Sequence, residues 1–287
     1  MDRSYFILGS EWIYLKIYTG EHMAETLLTK DVADIIDAID NNNLIDKWFF
    51  IRYTDKNGFH IRLRFHVIKL EYTYHIIKII EEYLYPLLQQ GRIHNVSYDT
   101  YIREIERYGV NNYDLTESIF HIDSCLVLQI IKQICSSPNK ENIRFKIALM
   151  LIDSYLDAFN LGLNDKFYVS QLIRDSYRKE FNITTRAAVK TLDMKYRKYR
   201  DDIFKVLSQY DKEVVYYLIL HYKETLCSFI RKNENETSLF VTQYIGSIIH
   251  MSINRLFVSQ NRLNELVLFD FICRYYESII ARNKYNK

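Results

Sequence analysis

Only seven glycines and two prolines are spread over 287 residues, and this scarcity of breakers constrains the fold more than any motif does. Glycine costs a helix interior about 1 kcal/mol and proline about 3, and both punctuate strands and loops. A chain with so few of them is built from long regular elements, which excludes collagen-like repeats and low-complexity disorder. With 48% apolar residues, the length suffices for one large domain or two small ones.

The hydrophobic pattern divides the chain. Residues 11–19 alternate, with Trp12, Tyr14, Lys16 and Tyr18 on one side and Ile13, Leu15 and Ile17 on the other, which predicts a strand. A helical spacing follows over 22–41. Trp48 to Tyr53 and His60 to His66 then read as two strands joined by the turn Asp55-Lys56-Asn57-Gly58, a hairpin signal. Residues 71–90 are helical in pattern, and 92–107 contain another extended stretch. Strand, helix, strand, strand, helix, strand is the order of a ferredoxin-like split βαβ unit.

Beyond Asn112 seven long runs have mostly helical spacing: 115–134, 142–161, 165–181, 184–207, 211–231, 238–257 and 261–280. The expectation is an α+β protein, with a ferredoxin-like sheet portion over 1–110 packed on a helical bundle over 111–287 as one compact unit. Any cleft would lie between sheet and helices. Asn233 to Thr237 reads as the most exposed connection between helices.

Thirty-eight Lys and Arg against 36 Asp and Glu leave a net charge of +2, so no global basic field points to nucleic acid. Cys125, Cys135, Cys227 and Cys273 form no C-x-x-C pair and read as buried thiols in a reducing cytosol. No secretory signal follows Met1, and no run approaches eighteen uncharged apolar residues, so a cytoplasmic location without a membrane span is expected. Phosphate loops, the G-x-S-x-G elbow, H-E-x-x-H and the EF-hand loop are all absent from the sequence.

Three segments carry the residues from which chemistry can be built. On a strand, His60, Arg62 and Arg64 project from one face and Ile61, Leu63 and Phe65 from the other. Arginines two apart lie about 6 to 7 Å from one another, a spacing suited to two carboxylates, or to a carboxylate and an incipient enolate. The same pattern also fits a solvated outer strand face. A zinc site from His60 and His66 is disfavoured by the two arginines between them, and no metal or other cofactor is expected.

In the second segment, Tyr101 to Gly109, Glu104 and Arg107 would point to opposite faces of a continuing strand. A turn or bulge would let them converge. The alternative is a surface salt-bridge pattern. The third segment is helical: Gln243, Gly246, Ser247, His250 and Asn254 share a small or polar stripe. Gly246 would leave room beside His250, whose ring suits proton transfer, although a helix histidine is also a common hydrogen-bonded structural residue.

Together these segments resemble the C-terminal elimination domain of lantibiotic dehydratases, also called the thiopeptide-type bacteriocin biosynthesis domain. The resemblance runs from Trp12-Ile13-Tyr14-Leu15-Lys16-Ile17-Tyr18 and Gly20, through F-F-I-R-Y at 49–53, H-I-R-L-R-F at 60–65 and Y-I-R-E-I-E-R-Y-G at 101–109, to I-H-M-S-I-N-R-L-F at 249–257 and Glu265. Val110 stands where a second glycine is expected. The resemblance implies removal of glutamate from glutamylated Ser and Thr of a ribosomally synthesised precursor peptide, giving dehydroalanine or dehydrobutyrine. It assigns catalysis to Arg62, Arg64, Glu104, Arg107 and His250, with Arg52, His60 and Asn254 as substrate-binding candidates.

In the family a preceding portion performs the glutamylation, so the resemblance implies a free-standing elimination component working with a separate tRNA-dependent glutamylating protein. No direct nucleic-acid contact is expected, and a homodimer is compatible with the sequence. A thiopeptide [4+2] pyridine synthase on the same scaffold, or a non-catalytic peptide-binding subunit of a modification complex, are the competing readings.

Overall fold

The computed structural model describes residues 3–183, 185–209, 214–232 and 238–285, and these fall into two units. The first comprises Met1–Cys135 with Asn254–Ser259, and the second Ser136–Ile253 with Gln260–Lys287. The architecture is α+β: antiparallel sheets lie toward the N-terminus, and the remainder is mostly helical.

The first unit is organised around β2 (Trp12–Tyr18), β3 (Ile45–Asp55), β4 (Gly58–Val67) and β5 (Asn95–Tyr98), paired antiparallel in the order β3-β4-β2-β5. This is the split βαβ order, with the hairpin strand β4 inserted beside β2. The hairpin closes with Asp55 opposite Gly58. Gly58 has φ +113°, a conformation that favours glycine, and the Asn57 amide donates to Asp55 Oδ1 at 2.8 Å. Ile13, Leu15, Ile17, Ile61, Leu63 and Phe65 are fully buried, so one face of the sheet is core.

Helical spacing between β2 and β3 does not give one continuous helix. α1 (Glu21–Leu27) passes through a π-helical turn at Leu28–Val32 into α2 (Ala33–Asp40). A 3₁₀ turn at Leu70–Tyr72 leads into α3 (Thr73–Gln89), which precedes β5. The extended stretch over 92–107 is also interrupted: after β6 (Tyr101–Ile102) the chain coils into the short helix α4 (Ile105–Tyr108). β6 pairs with β1 (Tyr5–Phe6) in a separate two-stranded sheet. Gly109, at φ +80°, turns the chain out of α4, whereas Val110 does not adopt a positive φ, so its side chain meets no backbone objection.

β3 is an edge strand whose outward backbone groups are satisfied by side chains rather than by another strand. The amide of Trp48 donates to His121 Nδ1 (3.2 Å) and that of Phe50 to Ser124 Oγ (3.3 Å), both from α5 (Tyr113–Ile134). Arg255 Nε donates to the Phe50 carbonyl (2.8 Å), and its guanidinium pairs with Asp123 at 3.0 Å, both side chains being fully buried.

The second unit contains α6 (Lys140–Ala158), α7 (Leu163–Glu180), α8 (Arg186–Gln209), α9 (Val214–Lys232), α10 (Ser238–Leu256) and α11 (Asn261–Tyr285). α10 belongs to it as far as Ile253. α11 packs against α6, α7 and α8, and α6 also contacts α8 and α9. These helices follow the predicted runs within a few residues at most ends. The exposed connection expected at 233–237 lies outside the described residues. Among those residues, no helix is long and apolar enough to cross a membrane.

Candidate active site

On the sheet face opposite the core, strand register fixes which side chains are neighbours. Tyr14 stands directly across from Arg64, Lys16 from Arg62 and Tyr18 from His60, while Phe49 and Ile51 of β3 flank Arg64 and Arg62 from the other side. Opposed residues of an antiparallel pair share a face. Arg62, Arg64 and Lys16 therefore make three corners of a block whose fourth corner is Tyr14.

This face is not the solvated exterior that a row of arginines suggests. Arg64 is only 7% exposed. Its guanidinium carbon lies 4.3 Å from the Tyr14 ring centroid, 4.9 Å from that of Tyr101 and 5.1 Å from that of Phe49. Its Nε is sealed from solvent without a hydrogen-bond partner. Burial pushes the Arg64 pKa down from its ordinary value, against the pull of the Tyr14 and Tyr101 phenols, yet a guanidinium so shifted remains charged. Aromatic faces supply part of what water gives up.

Arg62 is anchored differently. Its guanidinium carbon sits 3.5 Å from the Tyr53 ring centroid, and its Nε donates to His60 Nε2 at 3.2 Å. That bond requires His60 to carry its proton on Nδ1, facing the Gly58 carbonyl at 3.1 Å. Burial lowers the His60 pKa, which keeps the ring neutral and able to accept. His60 is fully buried and acts on Arg62.

Lys16 completes the cationic block, but its charge is already matched: its ammonium is 2.6 Å from Asp99 and 3.9 Å from Asp55. Burial alone would lower the Lys16 pKa; the hydrogen bond to Asp99 reverses this and raises it. Arg62 and Arg64, by contrast, have no carboxylate within salt-bridge distance among the described residues.

Glu104 and Arg107 do converge. The coil into α4 sets them three apart on a helical turn, with Arg107 Nη1 3.3 Å from Glu104 Oε2 and both side chains open to solvent. The Glu104 amide donates to the Tyr113 hydroxyl, which fixes the start of that turn. Behind it, Arg103 grips the buried Glu117 through Nε (2.8 Å) and Nη2 (2.6 Å), and Tyr101 donates to the same carboxylate at 2.8 Å. Glu117 thus holds the ring that stacks on Arg64. Neither Arg103 nor Glu117 was singled out by motif, because their roles depend on burial.

Two expected binding residues are engaged elsewhere. Arg52 is paired with Ile61 across the ladder, which puts it on the opposite face from Arg62 and Arg64. It is 2% exposed, with Nε donating to the Arg255 carbonyl at 3.1 Å. Asn254 accepts the Arg52 amide proton at 2.9 Å and donates to the Arg52 carbonyl at 3.0 Å, an imitation of a neighbouring strand that closes the β3 edge. Its amide is therefore an edge cap.

In the second unit, His250 is partly exposed on α10 and its Nδ1 lies 2.7 Å from Glu265 Oε1 on α11. Glu265 is fully buried. Its other oxygen accepts from Tyr177 of α7 at 2.6 Å and from Arg262 at 3.4 Å. Arg262 also bonds the Tyr177 hydroxyl at 3.0 Å and Glu180 at 3.0 Å. Burial and the Glu265 charge push the Tyr177 phenol far up, so it serves as a donor. A carboxylate on Nδ1 fixes the tautomer and leaves Nε2 as the nitrogen available for proton transfer. Gly246 does not open a space beside this ring: a Cβ there would meet Ile173 Cδ1 at 3.4 Å, so the glycine sits at helix packing.

Residues 12–276 match the family model described as lantibiotic biosynthesis dehydratase C-term. The subtilin biosynthesis protein SpaB of Bacillus subtilis is 27% identical over 276 residues, covering 92% of this chain and 25% of SpaB. The nisin biosynthesis protein NisB of Lactococcus lactis subsp. lactis is 26% identical over 264 residues, with 91% and 25% covered. The chain thus spans about a quarter of the length of these relatives. The solved structure of the tRNA dependent lantibiotic dehydratase MibB from Microbispora sp. 107891 matches with a TM-score of 0.72 at 20% identity, over 96% of this chain and 29% of that one. The pyridine synthase TbtD from thiomuracin biosynthesis matches at 0.65 and 11% identity, over 93% and 99%. At such identities both structures speak to the fold.

Proposed function

This chain belongs to the lantibiotic biosynthesis dehydratase C-terminal family, and from that premise we propose that it eliminates glutamate from glutamylated Ser and Thr of a ribosomally made peptide. The products are dehydroalanine and dehydrobutyrine, and the reaction is a carbon-oxygen β-elimination. A tRNA-dependent glutamylating activity supplies the substrate.

The reaction needs a base for the Cα proton, a field for the enolate-like charge on the adjoining carbonyl, and a grip on the departing carboxylate. A carboxylate with an ordinary pKa of about 4.3 leaves without protonation at neutral pH, so the demanding proton transfer is at Cα. His250 Nε2 takes that proton, and Glu265 on Nδ1 stabilises the imidazolium that forms. Such general-base catalysis contributes about 10²- to 10⁴-fold.

Arg62 and Arg64 bind the glutamyl group, which presents a second carboxylate besides the one that departs. Arg107, paired with Glu104 on a solvent-accessible turn, is the third arginine assigned to the reaction, with Glu104 orienting it. The observation carrying this reading is the pair of neighbouring guanidiniums, one of them buried among aromatic rings, with no carboxylate within salt-bridge distance of either among the described residues. A structural role alone does not call for such an arrangement, which is costly without an anion.

The test is to mix purified protein with a glutamylated precursor peptide and follow its mass. Release of free glutamate, leaving the peptide one water lighter than its unmodified form and reactive toward thiols, is expected. Unchanged glutamylated peptide would overturn the reading.

A further inference from the structure

Tyr14 is buried, 5% exposed, yet its hydroxyl has no hydrogen bond to any described residue and is not among the polar atoms sealed from solvent. Buried tyrosines ordinarily find a partner for the phenol. Others in this chain do so: Tyr101 bonds Glu117, Tyr177 bonds Glu265 and Tyr276 bonds Asp153. Tyr14 instead occupies the fourth corner of the block completed by Arg64, directly across the ladder, and by Lys16 and Arg62. Cross-strand neighbours in such a block have Cβ atoms about 4.5 to 5.5 Å apart, so one small anion can reach several corners.

We infer that the Tyr14 hydroxyl is a third donor to the anion gripped by Arg62 and Arg64, and that it helps hold the glutamate carboxylate as it departs. The inference rests on the elimination reading and deepens it. Lys16 is less suited to this task because Asp99 and Asp55 already match its charge. The phenol is the uncommitted donor at that corner.

Burial raises the Tyr14 pKa, against the pull of Arg64, Arg62 and Lys16, so the phenol keeps its proton and donates. In the step itself the Cα–H bond breaks and its proton passes to His250 Nε2. The electron pair forms the Cα–Cβ double bond, and the Cβ–O pair leaves with the glutamate carboxylate. Tyr14 transfers nothing; its O–H···O⁻ bond strengthens as negative charge gathers on the departing oxygens.

Tyr14→Phe tests this, because it keeps the ring beneath Arg64 and removes only the donor. With glutamylated peptide as substrate, kcat is expected to fall roughly 10- to 100-fold, with KM changed much less. Inhibition by added free glutamate should weaken about tenfold, in line with a lost hydrogen bond to a charged group. Incorporating 3,5-difluorotyrosine at position 14 should restore activity over the Phe variant and move the alkaline loss of activity to lower pH, a shift that a purely structural ring would not produce. Wild-type kcat and unchanged glutamate inhibition in Tyr14→Phe would overturn the inference, as would an unmoved alkaline limb in the fluorinated protein. A wild-type protein that releases no glutamate would instead overturn the elimination reading.

Discussion

His250 Nδ1 lies 2.7 Å from Glu265 Oε1, and Glu265 is held from its other side by Tyr177 and Arg262. A buried carboxylate with three partners is a rigid support for an imidazole and fixes its orientation with Nε2 left open. Glu265→Gln keeps the shape but loses the charge and its control of the tautomer. Elimination is expected to fall at least 100-fold, while the circular dichroism spectrum stays that of the folded protein. Retention of wild-type rate would show that the histidine works without this support.

Arg64 links stability to function with opposite signs. Replacing it with Met keeps an adaptable side chain against Tyr14, Tyr101 and Phe49 and removes a buried charge that has no ion-pair partner among the described residues. Desolvating a charge costs several kcal/mol, whereas cation–π contacts return about 0.5 to 2 each. Arg64→Met should therefore abolish elimination while leaving the unfolding temperature unchanged or higher. A large fall in Tm would mean that the guanidinium is there for stability.

His60 predicts an acid limb in stability. Burial depresses its pKa below the ordinary value of 6.5, so the folded protein resists a proton that the unfolded chain accepts. Stability from this group is complete above about pH 6.5, falls as pH drops below that value, and levels off below the depressed folded pKa. Protonation also removes the acceptor for Arg62 Nε. His121, shifted in the same direction by burial, adds to the limb, so urea unfolding of His60→Gln across pH 5 to 8 should show a shallower but surviving acid loss. An identical pH profile in the variant would exclude this role for His60.

Asn254→Ala should destabilise the first unit without touching the arginine face. It strips the Arg52 amide and carbonyl of their partners, and unsatisfied buried groups cost about 1 to 3 kcal/mol each. Chemical denaturation should report a loss of roughly 2 kcal/mol or more. Asn254→Asp keeps the acceptor but not the donor and is expected to fall between wild type and Ala. An unaffected midpoint for Ala would contradict the edge-cap assignment.

Much of this was readable from residue order because alternation and turn chemistry are local. The hairpin of β3 and β4 is announced by Asp55-Lys56-Asn57-Gly58, and Ile61, Leu63 and Phe65 identify the core face without coordinates. What could not be read depended on neighbours remote in sequence. Arg64 looks solvent-facing until Tyr101 and Phe49 close around it. Asn254 looks like a ligand-facing helix residue until β3 proves to be an edge, and the engagement of Glu265 with His250 emerges only when α10 and α11 pack. The face that Arg52 takes was hidden by parity: it shares a strand with aromatic residues of both faces, and only the ladder partner Ile61 shows which way it points.

The most direct measurement is a single-turnover assay on one glutamylated peptide with the wild-type protein and the variants Arg62→Ala, Arg64→Ala, Arg107→Ala and His250→Ala. The account predicts rapid glutamate loss with the wild type and persistence of the glutamylated peptide with the variants, each still folded. Failure of the wild type to release glutamate, or undiminished release by the His250 and arginine variants, would contradict it.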